Sequence, residues 1–291
     1  GLVGSEMCIR DSSYIDGYGT QETVYSDSSS LPEEIAINEN ISIEIVNINI
    51  TIVKNGSSTN AFSIWSYLAS HGDLINAFGS NTTAAIQHYV SHGFTETRST
   101  DSFDEWQYLA SHGDLINAFG SDTTAAIQHY VSNGYTEKRS TDSFDEWSYL
   151  ASYGDLIAAF GSNTSAATQH FINHGYAEGR SADNFDELSY IAGYGDLITA
   201  FSSNTYSATQ HYVNHGYAEG RSADNFDEWG YMASNTDLIK AFGSDTSSAV
   251  KHYINHGYSE RRSFDTFNAV SYTHLRAHET SLHLVCRLLL E

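Results

Sequence analysis

The side chains best placed to do chemistry are histidines spaced four apart. His88 and His92, His170 and His174, His211 and His215, and His252 and His256 stand at i and i+4. On a helix that spacing puts both rings on one face, where two imidazoles can hold one metal ion. At the corresponding place between the first two pairs, His129 is followed by Asn133 instead. No glutamate sits between the paired histidines as in a zinc-protease helix, and tetrahedral zinc asks for more ligands than one pair supplies. The later residue of each pair also precedes a glycine, a place where His or Asn suits the carbonyls and the dipole of a helix end. The reading taken is structural. The eight paired histidines are the metal or pH-responsive candidates, and no cofactor is expected.

Other polar residues recur at the same interval. Asp73, Asp114, Asp155, Asp196 and Asp237 each stand immediately before a Leu-Ile pair. A hard cation needs several oxygens close together, and this phrase supplies one, so these aspartates are expected to cap a helix. The Asp-Glu pairs at 104–105, 145–146, 186–187 and 227–228 could do acid–base work, but adjacent residues on a helix point apart. Acidic groups at that point favour a helix N-terminus. Arg98, Arg139, Arg180, Arg221 and Arg262 each follow a glutamate by two and are expected to pair one copy with the next. Trp65, Trp106, Trp147 and Trp229 could form a carbohydrate platform, but Leu188 takes the slot in the fourth copy; core is the expected role. Position 71 reads His71, His112, Tyr153, Tyr194 and Asn235 in turn, which looks like a tolerant surface site. No nucleophile elbow, P-loop or dinucleotide fingerprint is present, and near-identical copies suit a scaffold better than a singular active site. The chain is expected not to be an enzyme.

What positions these residues is a tandem repeat. Phe62, Phe103, Phe144, Phe185 and Phe226 are 41 residues apart, and the copies run 62–102, 103–143, 144–184, 185–225 and 226–266. In the second copy, Phe103, Trp106, Leu109 and Ala110 make one apolar helical stripe, with Gly113 as its stop. A second short helix holds Leu115, Ala118 and Phe119, and Gly120 ends it. A third, capped by Ser121, Asp122 or Thr123, carries Ala126, Ile127, Tyr130 and Val131 and ends at Gly134. Helices this short are marginal alone. The fold class expected is all-α: three-short-helix repeats stacked as a solenoid-like array, preferred over separate bundles because the connectors are short.

Before the repeats, residues 13–34 read as a polar linker and 35–60 as a β-prone segment and joint. Ile41, Ile43 and Ile45 alternate with polar residues, the phase slips at Val46, and Ile48, Ile50 and Ile52 resume it, so a bulge or a break between two strands is expected. The ends differ in character. Residues 1–12 and 269–291 resemble translated sequencing-adapter read-through and are set aside from fold reasoning as artefact. Both cysteines, Cys8 and Cys286, fall there, as do His274, His278 and His283. The net charge of −23 opposes binding to nucleic acid. No run is long and apolar enough for a transmembrane segment.

The phrases YLASHGDLINAFGSDTTAAIQHYVSNGYTEKRS and YIAGYGDLITAFSSNTYSATQHYVNHGYAEGRS resemble repeats of about 40 residues in large bacterial secreted proteins, often beside hemolysin-type (RTX) calcium-binding regions. The closing phrase Gly-Tyr-x-Glu-Gly-Arg is matched at Gly175–Arg180 and Gly216–Arg221, and departs to Thr97, Lys138 and Arg261 in the other copies. The resemblance implies an extracellular or cell-surface protein with a non-catalytic role as spacer or adhesion-type scaffold. Its implied partners are other surface proteins or extracellular polymers. The calcium-binding nonapeptide is absent, so calcium is not implied.

Overall fold

The computed structural model describes residues 13–15, 21–23, 34–38, 41–46, 49–54 and 57–263. The two ends read as artefact, both cysteines, the last three histidines and Phe267 lie outside the described residues. The protein is all-α over the repeats. First helices span Ile64–Ala69, Glu105–Ala110, Glu146–Ser152, Glu187–Ala192 and Glu228–Ser234. Second helices span Gly72–Phe78, Gly113–Phe119, Gly154–Phe160, Gly195–Phe201 and Thr236–Phe242, and third helices Thr82–His88, Thr123–His129, Thr164–His170, Thr205–His211 and Thr246–His252.

Local chemistry accounts for these boundaries. Asp104, Asp145, Asp186 and Asp227 are the N-caps of their first helices, each accepting a hydrogen bond from a backbone N–H of the first turn. Third helices are capped by Asn81, Asp122, Asn163, Asn204 and Asp245 in the same way. Second helices mostly end on a glycine at positive φ, as at Gly120 (58°), with Ser202 taking the same backbone in the fourth copy.

One element was not foreseen. Each third helix passes directly into a π-turn: Tyr89–Gly93, Tyr130–Gly134, Phe171–Gly175, Tyr212–Gly216 and Tyr253–Gly257. The widened ring is closed by i+5 hydrogen bonds such as Tyr135 N–H to Tyr130 O at 2.9 Å, and such turns often mark places where a helix must reshape. The extra width lets neighbouring residues such as Tyr212 and Val213 both turn inward.

Within a repeat, the core forms around one tyrosine. Tyr67, Tyr108, Tyr149, Tyr190 and Tyr231 are fully buried. In the second copy Tyr108 lies against Phe103 and edge-on to Tyr130, with ring centres 5.5 and 5.2 Å away. Leu109, Leu115, Ile116, Ala126, Ile127 and Val131 fill the remainder. The tryptophans are half-buried, and Trp229 is 58% exposed. The expectation that they are core is corrected: the buried stripe runs through the tyrosine two residues on, and the tryptophan rides at its margin.

The described residues form two compact units. One draws on the described residues up to Phe144 and on Thr168–Glu178, the other on Asp145–Ala167 and the described residues from Gly179 on. Inside each, the first helix of one repeat lies against the third helix or π-turn of the next. In the first unit 64–69 meets 123–134, and 105–110 meets 171–175; in the second, 146–152 meets 205–216, and 187–192 meets 246–257. Repeats in contact, rather than separate bundles, are therefore seen inside each unit.

Ahead of the helices, β3 (Glu34–Asn38), β4 (Ile41–Val46), β5 (Asn49–Lys54) and β6 (Ser57–Ser63) make an antiparallel sheet in sequence order, after a small pair of β1 (Ser13–Ile15) and β2 (Gln21–Thr23). The phase slip at Val46 is a break between strands, because Val46 pairs with Asn49 across the β4–β5 turn. The stretch read as a joint carries β6, and the stretch read as linker carries β1 and β2. Strand β6 runs straight into the first helix, and Ile50 pairs with Phe62, both buried. A β-branched stripe on β4 and β5 needs a partner face, and that need overrides the weak strand propensity of a Ser-rich segment.

Candidate functional site

In repeats 1, 2, 4 and 5 the recurring polar residues meet in one cluster each. Asp73 lies in the first turn of the second helix, but it is not the cap. His71 is the N-cap residue, with no side-chain capping bond, and the Asp73 carboxylate bonds Arg98. The expected place of Asp73, Asp114, Asp155, Asp196 and Asp237 at the cap is corrected: each is the second residue of its helix, bonding the arginine as well as backbone N–H of the first turn. The expected inter-repeat role of the arginines is corrected too, since each bonds an aspartate 25 residues earlier in its own repeat. Arg98 reaches Asp73 at 2.7 Å, Arg139 reaches Asp114 at 2.8 Å, Arg180 reaches Asp155 at 2.8 Å, Arg221 reaches Asp196 at 2.8 Å and Arg262 reaches Asp237 at 2.6 Å. A guanidinium fork bonds a second carboxylate readily. Here it takes the glutamate two residues earlier: Glu96, Glu137, Glu219 and Glu260 lie 2.6–2.7 Å from Nε of their arginines. The arginine holds each of the five aspartates below the usual carboxylate range, chiefly through the side-chain hydrogen bond.

Beside this network, in repeats 1, 2, 4 and 5, stands the histidine that ends the third helix. Tyr67 and His88 share a hydrogen bond of 3.0 Å at Nδ1, and Tyr108 with His129, Tyr190 with His211 and Tyr231 with His252 repeat it at 2.9 Å. Burial, and then the nearby arginine, push these imidazoles below their ordinary pKa. Burial raises the tyrosines in turn, Tyr108 and Tyr231 to about 12. The paired rings stay close. Centres are 5.6 Å apart at His88–His92, 5.5 Å at His170–His174, 5.6 Å at His211–His215 and 5.5 Å at His252–His256. Among the described residues no three His, Cys, Asp or Glu side chains converge as a metal centre.

Two further contact sets escaped the sequence reading. Position 71 is not a tolerant surface site. His71 and His112 bond the carbonyls of Ser99 and Ser140 at 2.8 Å, Tyr153 and Tyr194 those of Ser181 and Ser222 at 3.3 Å, and Asn235 that of Ser263 at 2.8 Å. His, Tyr and Asn share a donor at the tip of the side chain, and that shared donor was the available signal. The second set joins repeats. Tyr135 of one connector lies over Gly72 of the preceding repeat and accepts a hydrogen bond from Asn76 at 3.1 Å, and Tyr176 does the same with Gly113 and Asn117 at 3.2 Å. Tyr217 seats on Gly154 and Tyr258 on Gly195. These glycines are first residues of second helices, not stops of first helices, and any Cβ would run into the seated ring. The first repeat carries Phe94 at the tyrosine position and follows strand β6 directly.

The adjacent carboxylates play separate parts in the second repeat. Asp104 caps its own helix through a 2.9 Å bond from Gln107 N–H, and Glu105 is raised by burial, then by Asp101 and Asp104. They line a shallow depression with Asp101, Ser102, Phe103 and Trp106. In the fourth repeat Glu187 accepts a bond of 3.3 Å from the buried Ser148 of the third. Fold and side-chain pattern define a tandem helical-repeat protein. No protein-family model matches the chain, and neither a curated protein nor a solved structure does.

Proposed function

We propose that the chain is a non-catalytic spacer or adhesion-type scaffold within a secreted or cell-surface bacterial protein. One observation carries the reading: the polar residues that recur are engaged with one another. Asp and Glu share one guanidinium, the buried tyrosine holds the histidine, and the connector tyrosine seats on the neighbouring repeat. A chain that spends its recurring groups on internal and neighbour contacts extends by adding copies. The acidic surface and the absence of cysteine from the repeats suit exposure outside the cell, and the resemblance to repeats of bacterial secreted proteins points the same way. Surface proteins or extracellular polymers are the partners this reading implies. Antibody against the repeats should label intact cells, or the medium, of a bacterium expressing the gene. Signal released only after lysis would refute the placement. A pH-responsive role is favoured by one observation, the four imidazoles held below their ordinary pKa beside arginine.

A further inference from the structure

We infer that in repeats 4 and 5 the histidine ending the third helix and the one in the following π-turn, His211 with His215 and His252 with His256, form open two-ligand sites for a borderline divalent cation such as Ni2+ or Zn2+. The inference goes beyond the scaffold reading and is independent of where the protein resides.

The geometry is the first support. A metal–nitrogen bond of about 2.0–2.1 Å puts each ring centre roughly 3.2 Å from the ion, so two imidazoles at a tetrahedral angle have centres about 5.2 Å apart. The observed centres are 5.6 and 5.5 Å apart, with planes inclined by 55° and 52°. The ring separations lie within a few tenths of an ångström of that value. The rings are also oriented from behind. Tyr190 and Tyr231, both fully buried, hold Nδ1 of His211 and His252 at 2.9 Å. That leaves Nε2 to take the ion, and a hydrogen bond on the other ring nitrogen is the usual support of a metal-bound histidine. The second ring of each pair, His215 or His256, is exposed at the surface, so an ion reaches it from solvent.

Ligand chemistry is the second support. Two imidazoles, with no third protein ligand gathered among the described residues, leave the remaining positions to water. Nitrogen ligands favour nickel, copper and zinc, whereas calcium takes oxygens. The pairs at His88–His92 and His170–His174 share the spacing. The second repeat, with Asn133, is the built-in control.

The test compares the full chain with H215N/H256N, which places at both positions the residue the fold already accepts at Asn133. Titrated with Ni2+ at neutral pH in a calorimeter, the variant should bind two fewer ions per chain than the parent. His274, His278 and His283 contribute equally to both proteins and cancel. Equal stoichiometry and affinity would overturn the proposal, as would a loss that appears equally with Ca2+. If the double variant melts early without metal, the parent decides alone. Paramagnetic Ni2+ should broaden the ring resonances of His211, His215, His252 and His256 before that of His129. Broadening of His129 first, or of all alike, overturns the assignment.

Discussion

Replacing Gly113 with alanine sets two effects of opposite sign against each other. Alanine is the better helix former, by up to about 1 kcal/mol, and Gly113 is not among the glycines at positive φ. On helix propensity alone the change should stabilise. The seated tyrosine argues the reverse. A Cβ on Gly113 would lie 2.5 Å from the Tyr176 hydroxyl and 2.7 and 2.8 Å from its ring carbons. To regain an ordinary contact of roughly 3.5–4.0 Å the ring must retreat by about 1 Å. Retreat breaks the 3.2 Å bond from Asn117, worth about 0.5–1.5 kcal/mol net, and shifts the ring from its edge-on contact with Phe171, 6.0 Å between centres. Overpacking of this kind typically costs about 1–3 kcal/mol. The net expectation is a loss of about 1–3 kcal/mol, or about 2–4 °C per kcal/mol for a protein of this size. Urea unfolding followed by circular dichroism measures it. The control is Tyr176→Ala, in which the ring is gone: Gly113→Ala should then be neutral or stabilising, with a coupling on the order of 2 kcal/mol. If Gly113→Ala is as stable as the parent, or costs the same in both backgrounds, the socket argument fails.

Other perturbations follow from the same contacts. Stability should be level above about pH 7 and fall below about pH 6.5. The imidazoles of His88, His129, His211 and His252 have lowered folded pKa values, so the unfolded chain binds protons first as the pH drops. A second decline should begin near pH 4, where the arginine-paired aspartates protonate in the unfolded chain before the folded one. Urea midpoints unchanged between pH 7 and 5 would contradict the histidine part, and the quadruple change of those histidines to glutamine should abolish the first decline alone. Thr97→Gly should stabilise by about 0.5–1 kcal/mol, because Thr97 holds φ of 53° where the third and fourth repeats place Gly179 and Gly220; a lower melting temperature would count against the strain. Arg139→Ala should cost only about 1 kcal/mol, since both its carboxylate partners are half-exposed, and the deficit should shrink in high salt. A deficit that grew with salt would show that packing, rather than charge, is lost.

Much of this was legible in the sequence, and the illegible part has a physical pattern. The 41-residue period, the three helices and the cap of the third helix follow from local chemistry. Asn81 or Asp122 can satisfy the first-turn N–H groups with no help from elsewhere. The π-turn has no such local mark, because the residues that widen it, such as Tyr130 and Gly134, would serve equally in an ordinary helix end. Gly113 read as a stop because its neighbour in space, Tyr176, is far along the chain. Asp114 read as a cap because the guanidinium that it bonds belongs to a distant connector. Position 71 looked unconstrained because three residue types share one bond. The fully buried tyrosine series had the clearest missed signal, an unbroken recurrence at 67, 108, 149, 190 and 231, whereas the tryptophans that looked like core were interrupted by Leu188.

The asparagine-to-tyrosine bonds across the seams span 59 residues, at Asn76–Tyr135 and again at Asn117–Tyr176. Every seam of this kind closes a loop of one size, wherever along the chain it lies. The entropy of loop closure depends on loop length, so a duplicated copy adds a further closure of the same cost rather than a longer one. The separation between touching residues stays fixed while the chain grows, and relative contact order falls with each copy. Since low contact order goes with fast folding, lengthening by duplication carries no kinetic penalty from topology, and structure can start at any seam and spread to the next.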